Sequence, residues 1–277
     1  QGSHQTDSHF NIPIDKRQIM VKLKSRDCTV GIDAGELASF VRGGHEFIHQ
    51  KGSPGWGSSD TEMFPIIGPL DKANFRVQTP KGKAVQDQHG LLRQIPYELI
   101  LQTESTAVFA KEYTAGTEVK NSKYPAKSTE PFMDWPYSFR FEKSFELKEG
   151  ALEIIFRVSG EEGMPFMLGY HPAFRLHSDA PMIIANDQEI SLGEVLAVGS
   201  RAFQVPNCTS ITLQDEKQIT IGTKGFGHFM CWTEVRNMIC IEPISFYPYA
   251  VEQKELDQGF QYLKDKAEFK VVIKPNL

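Results

Sequence analysis

The chain has 277 residues and 31.3 kDa, and its 40% hydrophobic and 23% charged residues are typical of a folded globular protein rather than a disordered one. Its 30 Lys and Arg residues are outnumbered by 35 Asp and Glu residues, so the formal net charge is −5 and the pI is near 5.9. This balance lacks the basic excess of nucleic-acid-binding or membrane-surface proteins, and no apolar run reaches the roughly 18 residues of a spanning helix.

The amino terminus and the cysteines give only a default expectation about location. Residues 1–10 begin Gln-Gly-Ser-His without an initiator Met, which is typical of a cloning remnant. We therefore expect a disordered start there and one domain over residues 11–277. The four cysteines form no C-x-x-C pair, which predicts thiols, buried or at the surface, in a reducing compartment. With no secretory apolar stretch we expect a cytoplasmic protein, although an upstream targeting segment could have been removed.

A period of two dominates the hydrophobic pattern, which predicts β-strands with one buried face. The clearest case is a hairpin over residues 137–158, in which apolar and polar residues alternate on both sides of a turn at Lys148-Glu149-Gly150. Further short apolar runs lie, in chain order, at residues 19–23, 97–101, 107–112, 166–170, 182–185, 219–221, 238–241 and 269–273. Residues 252–263 are the best candidate for an amphipathic helix, which Gly259 weakens. Many antiparallel strands in one chain predict an all-β fold, a sandwich or a barrel.

Residues 45–49 match the H-E-x-x-H pattern of zinc metalloproteases, but their surroundings argue against a metal site. That chemistry needs a helix, which places both imidazoles on one face. Glycines precede the motif and a Gly- and Pro-containing stretch follows it, so an extended segment is favoured. In a strand the two histidines stand roughly 13 Å apart at ~3.3 Å per residue, too far to bind one ion. Nucleotide-binding glycine loops and a G-x-S-x-G elbow are also missing from the sequence, so we predict no metal and no cofactor.

Four short motifs follow one another along the chain. They are Phe64-Pro65-Ile66-Ile67-Gly68, His89-Gly90-Leu91-Leu92-Arg93, Gly169-Tyr170-His171-Pro172-Ala173-Phe174 and Cys240-Ile241-Glu242-Pro243. In this order and at these separations they resemble the aldose 1-epimerase family of the galactose mutarotase-like superfamily, and more narrowly its shorter bacterial branch. The resemblance covers nearly the whole chain. It implies a large antiparallel β-sandwich, the galactose mutarotase-like supersandwich, that interconverts the α and β anomers of an aldose without a cofactor.

The resemblance also implies which residues act. By motif, His171 is the general acid that protonates the ring oxygen, and Glu242 is the general base that takes the proton of the anomeric hydroxyl. His89 is implied to form a hydrogen bond near the anomeric centre, although a turn histidine would have the same sequence. Arg93 is implied to contact sugar hydroxyls or to support the site.

The residues themselves are suited to this chemistry. Opening a pyranose removes a proton from O1 while another reaches O5, so one base and one acid, on opposite sides of the ring, suffice. His171 and Glu242 both precede a proline, which favours extended backbone, and a carboxylate after the apolar run 238–241 must be paired or used. The period of two further predicts that Gly169 leaves room for a ligand and that Cys240 lines the cleft.

Two assignments have alternatives. Arg93 could pair with a nearby acid such as Asp87 or Glu98 instead of contacting a sugar. Trp232 is the preferred candidate for stacking on a sugar face, ahead of Trp56 and Trp135, although large aromatic side chains usually belong to the core.

The sequence departs from the family pattern at two places. Pro69 stands where relatives commonly carry an Arg that reaches the sugar, and residues 244–249 lack the family's Trp and Asp.

From the four motifs, the leading prediction is an aldose 1-epimerase that acts on a hexose or related aldose. A hexose 6-phosphate mutarotase is one alternative, and a non-catalytic carbohydrate-binding or sensory protein on the same fold is another. The expected partner is a small sugar, and the chain is expected to be a monomer or a homodimer.

Overall fold

The computed structural model describes residues 20–276, so the predicted start over residues 1–10 lies outside the described residues. Within that range every strand pairing is antiparallel. The first strands are β1 Met20–Ser25, β2 Cys28–Asp33, β3 Glu36–Arg42, β4 His45–Glu46, β5 Glu62–Met63, β6 Arg76–Thr79, β7 Gly82–Val85, β8 Glu98–Gln102, β9 Thr106–Tyr113, β10 Val119–Lys120, β11 Phe132–Met133 and β12 Phe139–Lys148. The remaining strands are β13 Ala151–Gly160, β14 Pro165–Phe166, β15 Gly169–Tyr170, β16 Ala173–Arg175, β17 Met182–Ala185, β18 Gln188–Ser191, β19 Phe203–Val205, β20 Ser210–Gln214, β21 Gln218–Lys224, β22 His228–Trp232, β23 Met238–Ile244, β24 Gln261–Tyr262 and β25 Lys266–Asn276.

Two large sheets form the body of the molecule. The first has nine strands in the order β18-β17-β20-β21-β25-β13-β12-β9-β8, and the second has the order β19-β22-β23-β15-β5, with β16 also paired to β23. Side chains from both sheets join one hydrophobic core; for example, the rings of Phe156 in β13 and Tyr170 in β15 lie 5.1 Å apart. Strands β1–β4 form a separate four-stranded sheet. The prediction of an antiparallel all-β sandwich is confirmed.

The predicted hairpin is strands β12 and β13. Buried and less buried residues alternate along both strands, as a sheet with one core face requires. At the turn, Glu149 and Gly150 both have positive φ angles, 54° and 78°, which matches the right-handed twist of the flanking strands. A residue with a side chain tolerates this conformation poorly, so the glycine at the second position is what permits so tight a connection.

The helical segments differ from the prediction. Residues 252–263 hold no α-helix: a 3₁₀ segment, Gln253–Gly259, is interrupted at Glu255, and strand β24 follows it. Only Leu256 of that segment is buried, so an apolar stripe that could stabilise a helix by packing is lacking. The one α-helix among residues 20–276, α1 Leu192–Val198, was not predicted, because two turns are too short to show a helical period.

Four other 3₁₀ turns occur in the described range: Asp71–Ala73, Leu92–Gln94, Gly199–Arg201 and Pro248–Ala250. None of the helices there is both long enough and apolar enough to cross a membrane. The turns Gly199–Arg201 and Pro248–Ala250 each contribute a side chain to the lining of the cavity described below.

The H-E-x-x-H segment is extended, as predicted. His45 and Glu46 form β4, and the Glu46 carboxylate accepts the Phe40 amide hydrogen bond at 2.8 Å. His49 Nε2 lies 2.7 Å from the Trp56 carbonyl oxygen. The motif therefore serves the packing of this sheet, and within residues 20–276 we find no group of three or more His, Cys, Asp or Glu side chains arranged to hold a metal ion.

Candidate active site

The first two motifs are held together by backbone hydrogen bonds. Phe64 N–H donates to the His89 carbonyl at 3.2 Å, His89 N–H donates to the Gly68 carbonyl at 3.1 Å, and Leu92 N–H donates to the Phe64 carbonyl at 3.2 Å. His89 and Gly90 both have positive φ angles, 65° and 83°. A Cβ atom on Gly90 would overlap the Phe64 carbonyl, so only glycine fits there. This packing explains why glycine follows histidine in the second motif, and it fixes the position of the His89 imidazole.

The last two motifs meet because their strands are neighbours in the second sheet. His171 connects β15 to β16, and Glu242 lies within β23, which pairs with both strands. His171 N–H donates to the Thr61 carbonyl at 2.8 Å, and Thr61 N–H donates to the His171 carbonyl at 3.3 Å. The backbone at residue 171 is therefore held from both sides.

The imidazole and the carboxylate are in direct contact. His171 Nε2 lies 3.1 Å from Glu242 Oε1, with side-chain exposures of 8% and 1%. The contact lacks hydrogen-bond geometry, because neither Glu242 oxygen has a hydrogen-bond partner in the described residues. His171 Nδ1, the other ring nitrogen, has no partner there either. Buried polar atoms are rarely left unpaired, so atoms of this kind at a cavity are available to a ligand.

This geometry corrects one part of the sequence prediction. The predicted arrangement has a sugar ring between His171 and Glu242, but no ring fits between two groups 3.1 Å apart. The side chains stand beside each other because adjacent strands of one sheet carry them. Both can still approach a single ligand from the same side.

All five residues predicted for the site line one cavity of about 400 Å³: His89, Arg93, His171, Trp232 and Glu242. Apart from Trp56, which it ranked below Trp232, the sequence interpretation did not assign the other lining residues to the site. These are Trp56, Gln88, Lys123, Lys127, Ser200, Ala202, Met230, Glu234 and Tyr249.

Aromatic rings surround the His171 imidazole. The Trp56 ring lies 4.2 Å away at an interplanar angle of 36°, the His89 ring 5.8 Å away, and the Trp232 ring 6.2 Å away. Trp56, which the sequence ranked below Trp232, therefore lines the cavity as well. Trp135 is fully buried in the main core instead.

Two details of the predicted strand faces are wrong. Gly169 leaves no room for a ligand, because the Met63 side chain occupies the space where a Cβ atom would stand. Cys240 does not line the cavity; it packs with Ala173 and Met238 in a small buried cluster against the two cavity tryptophans. Both residues therefore face protein side chains rather than the cavity.

His89 is held as a neutral hydrogen-bond donor. Its Nδ1 accepts the Gly68 N–H at 3.0 Å, so in the neutral ring the proton must be on Nε2. Burial, with a smaller effect of the Arg93 guanidinium, lowers the pKa of His89 well below its ordinary value of 6.5. His89 thus presents an N–H rather than a charge at the cavity.

Arg93 is a partly buried cation with spare hydrogen-bonding capacity. Its Nε donates to the Glu62 carbonyl at 3.3 Å, while Nη2 has no partner in the described residues. Its alternative partner from the sequence, Asp87, accepts a hydrogen bond from Asn121 at 2.8 Å. Burial lowers the pKa of Arg93 to about 10, with Glu242 opposing, so the guanidinium stays charged at neutral pH.

The electrostatics of the pair favour a single shared proton. Burial raises the pKa of Glu242 well above 4.5, which Arg93 partly opposes. Burial, with Arg93, lowers the pKa of His171 well below 6.5. These shifts favour an uncharged pair, whereas attraction across 3.1 Å favours the ion pair. In either form the pair holds one proton, and the two groups must be treated as one coupled unit.

A buried ion cluster lies behind the site. Lys143 Nζ of β12 donates to Asp60 Oδ2 at 2.8 Å and to Glu62 Oε2 at 3.0 Å, and all three side chains are at most 3% exposed. Asp60 also accepts the Tyr170 hydroxyl hydrogen bond at 2.6 Å. Thr61, whose backbone is hydrogen-bonded to that of His171, lies between Asp60 and Glu62 in the sequence. The cluster therefore anchors the segment that carries the site.

Two lysines reach the cavity from the loop after β10. Lys127 N–H donates to the Lys123 carbonyl at 2.7 Å, a helical turn that places both side chains on one side. Asn121 ties the loop to Asp87, two residues before His89. Within residues 20–276 neither lysine is part of a salt bridge.

Comparison with known proteins gives a family and a fold. A family model described as aldose 1-epimerase matches residues 71–271. A galactose mutarotase related enzyme from Lactobacillus acidophilus is 18% identical with a TM-score of 0.73, covering 94% of this chain and 98% of that chain. A galactose mutarotase-like protein from Lactobacillus casei is 16% identical with a TM-score of 0.74, covering 93% and 100%. A C. elegans aldose epimerase homologue is 10% identical with a TM-score of 0.68, covering 93% and 98%. No curated protein matches the sequence.

Proposed function

Because the chain belongs to the aldose 1-epimerase family, we propose that it is an aldose 1-epimerase, an isomerase that interconverts the α and β anomers of an aldose. One observation carries the proposal: His171 Nε2 and Glu242 Oε1 lie 3.1 Å apart, and both groups line the same cavity. An acid and a base in one ligand-sized cavity are what anomer exchange requires. The cytoplasmic location and the one-domain organisation stay predictions.

The reaction needs two proton transfers at neighbouring oxygens. Glu242 takes the proton of the O1 hydroxyl while His171 delivers a proton to O5. The C1–O5 bond breaks with its electron pair going to O5, and C1 becomes the aldehyde carbon. Rotation about the C1–C2 bond then exposes the other face, and the reverse transfers close the other anomer and restore both groups.

The close contact of the pair suits this chemistry. O1 and O5 are bonded to the same carbon, so two groups that stand beside each other can reach both oxygens from one side. Since the pair keeps one proton throughout, each cycle leaves the net charge of the site unchanged. A positioned acid or base of this kind contributes roughly 10²–10⁴-fold to a rate.

The surrounding groups have supporting roles in the proposal. The neutral His89 donates from Nε2 to the oxygen on which negative charge develops. Arg93 stabilises the carboxylate form of Glu242, the form that accepts a proton, because its guanidinium is charged and buried nearby. Trp56 and Trp232 present flat apolar surfaces to the carbon-bound hydrogens of the sugar.

The proposal is tested by the anomer exchange of freshly dissolved α-glucose and α-galactose, followed by polarimetry or by exchange NMR. We expect the wild type to accelerate exchange, and His171→Ala and Glu242→Gln each to lower kcat by about 10² or more. Arg140→Ala, which removes an ion pair with Glu112 outside the cavity lining, serves as the control. No acceleration by the wild type of any aldose tested would overturn the proposal and favour the non-catalytic sugar-binding alternative.

A phosphorylated aldose is the second candidate substrate, and the two lysines of the cavity favour it. Lys123 and Lys127 face the cavity without an acidic partner in the described residues, and ammonium groups bind phosphate as point charges. If this candidate holds, kcat/KM for glucose 6-phosphate exceeds that for glucose, and the double change Lys123→Ala, Lys127→Ala lowers it by about tenfold or more. Equal losses on both sugars would contradict it.

A further inference from the structure

A small cavity of about 180 Å³ has only Arg93 in common with the reactive cavity. We call it the lysine cavity and define it by Thr61, Glu62, Arg93, Tyr97, Lys111 and Lys143. Two exposed residues of its lining, Ala34 and Pro96, mark where it meets solvent. The acid–base pair lines the reactive cavity instead, so a ligand in the lysine cavity is separate from the reacting sugar.

The carboxylates of the lysine cavity already accept hydrogen bonds from the protein. Glu62 accepts the Tyr97 hydroxyl at Oε1 and Lys143 Nζ at Oε2. Asp60 Oδ2 accepts both Lys143 Nζ at 2.8 Å and the Tyr170 hydroxyl at 2.6 Å. These oxygens are therefore used by the fold rather than available to a ligand that donates hydrogen bonds.

The unused hydrogen-bonding capacity of the cavity lies in donors. Lys111 is 7% exposed, and its Nζ donates to the Leu92 carbonyl at 2.8 Å, which uses one of its three N–H groups. Thr61 Oγ1 and Arg93 Nη2 are buried atoms without a hydrogen-bond partner in the described residues. Buried polar atoms are rarely left unpaired, so the cavity suits a ligand that accepts hydrogen bonds.

Two cations of the lining have no carboxylate of their own. Burial lowers the pKa of Lys111 to about 8 and that of Arg93 to about 10, so both side chains are positively charged at neutral pH. The His171–Glu242 pair does not cancel the Arg93 charge, because with its single proton the pair is neutral as a whole.

The remaining charges of the cavity nearly balance. Glu36 pairs with Lys51, whose Nζ lies 2.5 Å from Oε2. Asp60 and Glu62 share one lysine, Lys143, which leaves one negative charge against the two cations. The net charge is therefore about one positive unit. This charge suits a monovalent anion, whereas a dianion such as phosphate would be repelled by the two carboxylates at close range.

We propose that the lysine cavity binds a small monovalent anion, a halide or a short carboxylate, through Lys111, Arg93 and Thr61. Both kinds of ion accept hydrogen bonds and carry a single charge. The ligand is not the sugar, so this site exists whether or not the chain exchanges anomers.

Chloride NMR tests the proposal, because ions that exchange with a protein site broaden the chloride signal. Gluconate keeps the ionic strength constant while chloride is varied. We expect saturable broadening by the wild-type protein. Displacement by acetate assigns short carboxylates to the site as well, and its absence restricts the site to halides. No saturable broadening, or stronger displacement by sulfate than by acetate, would overturn the proposal.

Two variants locate the bound ion. Lys111→Met should reduce the broadening about tenfold, because it removes a buried cation from the site. Lys270→Met is the matched control: it loses the same charge at a residue outside both cavities, so the broadening should not change. Thr61→Val should weaken binding about threefold or more. Its hydroxyl makes no hydrogen bond to the described residues, so this variant keeps the contacts of the fold.

The reactive cavity also carries positive charge, and a double change distinguishes it from the lysine cavity. Lys123→Ala with Lys127→Ala removes two cations from the reactive cavity only, so the broadening should persist. Its loss in this double variant would overturn the proposal, and so would equal broadening by the wild type, Lys111→Met and Thr61→Val. Since this readout needs no turnover, it stays decisive even if the protein accelerates no aldose.

Discussion

Burial shifts the pKa values of the individual residues in the site. The His171 imidazole is buried, and the nearby Arg93 guanidinium adds to the cost of a positive charge on it. The Glu242 carboxyl is buried to a similar degree, which raises its pKa. These opposite shifts widen the pH range in which the pair holds one proton, and that is the form that can give one proton while it takes another.

This coupling predicts the pH dependence of catalysis. As the pH falls, the pair gains a second proton and loses its base, and that step leaves a net positive charge on the buried pair beside the Arg93 guanidinium. We therefore expect the acid limb of the kcat/KM profile to have its midpoint below 6.5, the ordinary pKa of histidine. The profile is measured by exchange NMR between acidic and neutral pH, and the exchange rate in buffer without enzyme is subtracted at each pH. An acid midpoint at or above 6.5 would contradict the assignment of His171.

Two variants of His89 separate its structural role from its proposed catalytic role. Asparagine tolerates the positive φ of this position, and its side-chain oxygen can accept the Gly68 N–H in place of Nδ1. His89→Asn removes only the Nε2–H donor, so we expect stability within about 1 kcal/mol of wild type and kcat/KM lower by about tenfold.

His89→Ala is the matched comparison. It leaves the buried Gly68 N–H without a partner, which should cost a further 1–3 kcal/mol, about the usual penalty for a buried unpaired donor. Thermal unfolding measures the stability and exchange NMR the activity. Similar loss of stability in both variants would show that the Nδ1 bond does not hold the loop.

At the scale of the elements, the ion cluster behind the site links the two large sheets. Lys143 lies on β12 of the nine-stranded sheet. Asp60 and Glu62 flank Thr61, whose backbone is hydrogen-bonded to His171, and Glu62 lies on β5 of the second sheet. A lysine at a core position of β12, between Phe141 and Phe145, is the sequence signal for this cluster. The sequence interpretation did not use it, because the partners of a buried charge cannot be identified from one strand.

We predict that Lys143→Met destabilises the protein by about 3–5 kcal/mol, because two carboxylates lose their buried partner. The control is Lys270→Met, which removes a partly exposed salt bridge to Glu153 and should cost less than about 1 kcal/mol. Urea unfolding followed by tryptophan fluorescence gives both values. Equal losses in the two variants would show that the cluster does not stabilise the fold.

At the scale of the whole molecule, the cysteines report whether the sheets unfold together. All four thiols are free and at most 1% exposed. Cys28 belongs to β2 in the four-stranded sheet, whereas Cys231 and Cys240 belong to the six-stranded sheet. Burial also raises the pKa of these three thiols, which lowers their reactivity further.

For one cooperative domain we expect all four thiols to become reactive towards a disulfide reagent at the same denaturant concentration. The native protein should react slowly at each of them. Mass spectrometry of the labelled peptides identifies the order of labelling. Labelling of Cys28 well before Cys231 and Cys240 would show that the four-stranded sheet opens on its own and that the one-domain prediction is wrong.

The sequence by itself determined the local features of this protein. Alternation along β12 and β13 predicts a hairpin because side chains in a strand point to opposite faces in turn. The motif residues His89, His171 and Glu242 were predicted for the site, and the structure brings them to one cavity. Their family identity could be read from sequence because each motif is short and contiguous.

Only the tertiary structure decided how these residues stand towards one another. The 3.1 Å contact of His171 with Glu242, in place of a ring between them, follows from the pairing of β16 and β15 with β23. Trp56, Lys123 and Tyr249 enter from three loops that have no periodic pattern. Such contacts join residues far apart in the chain, and which loop reaches a cavity depends on the packing of whole sheets rather than on local sequence preference.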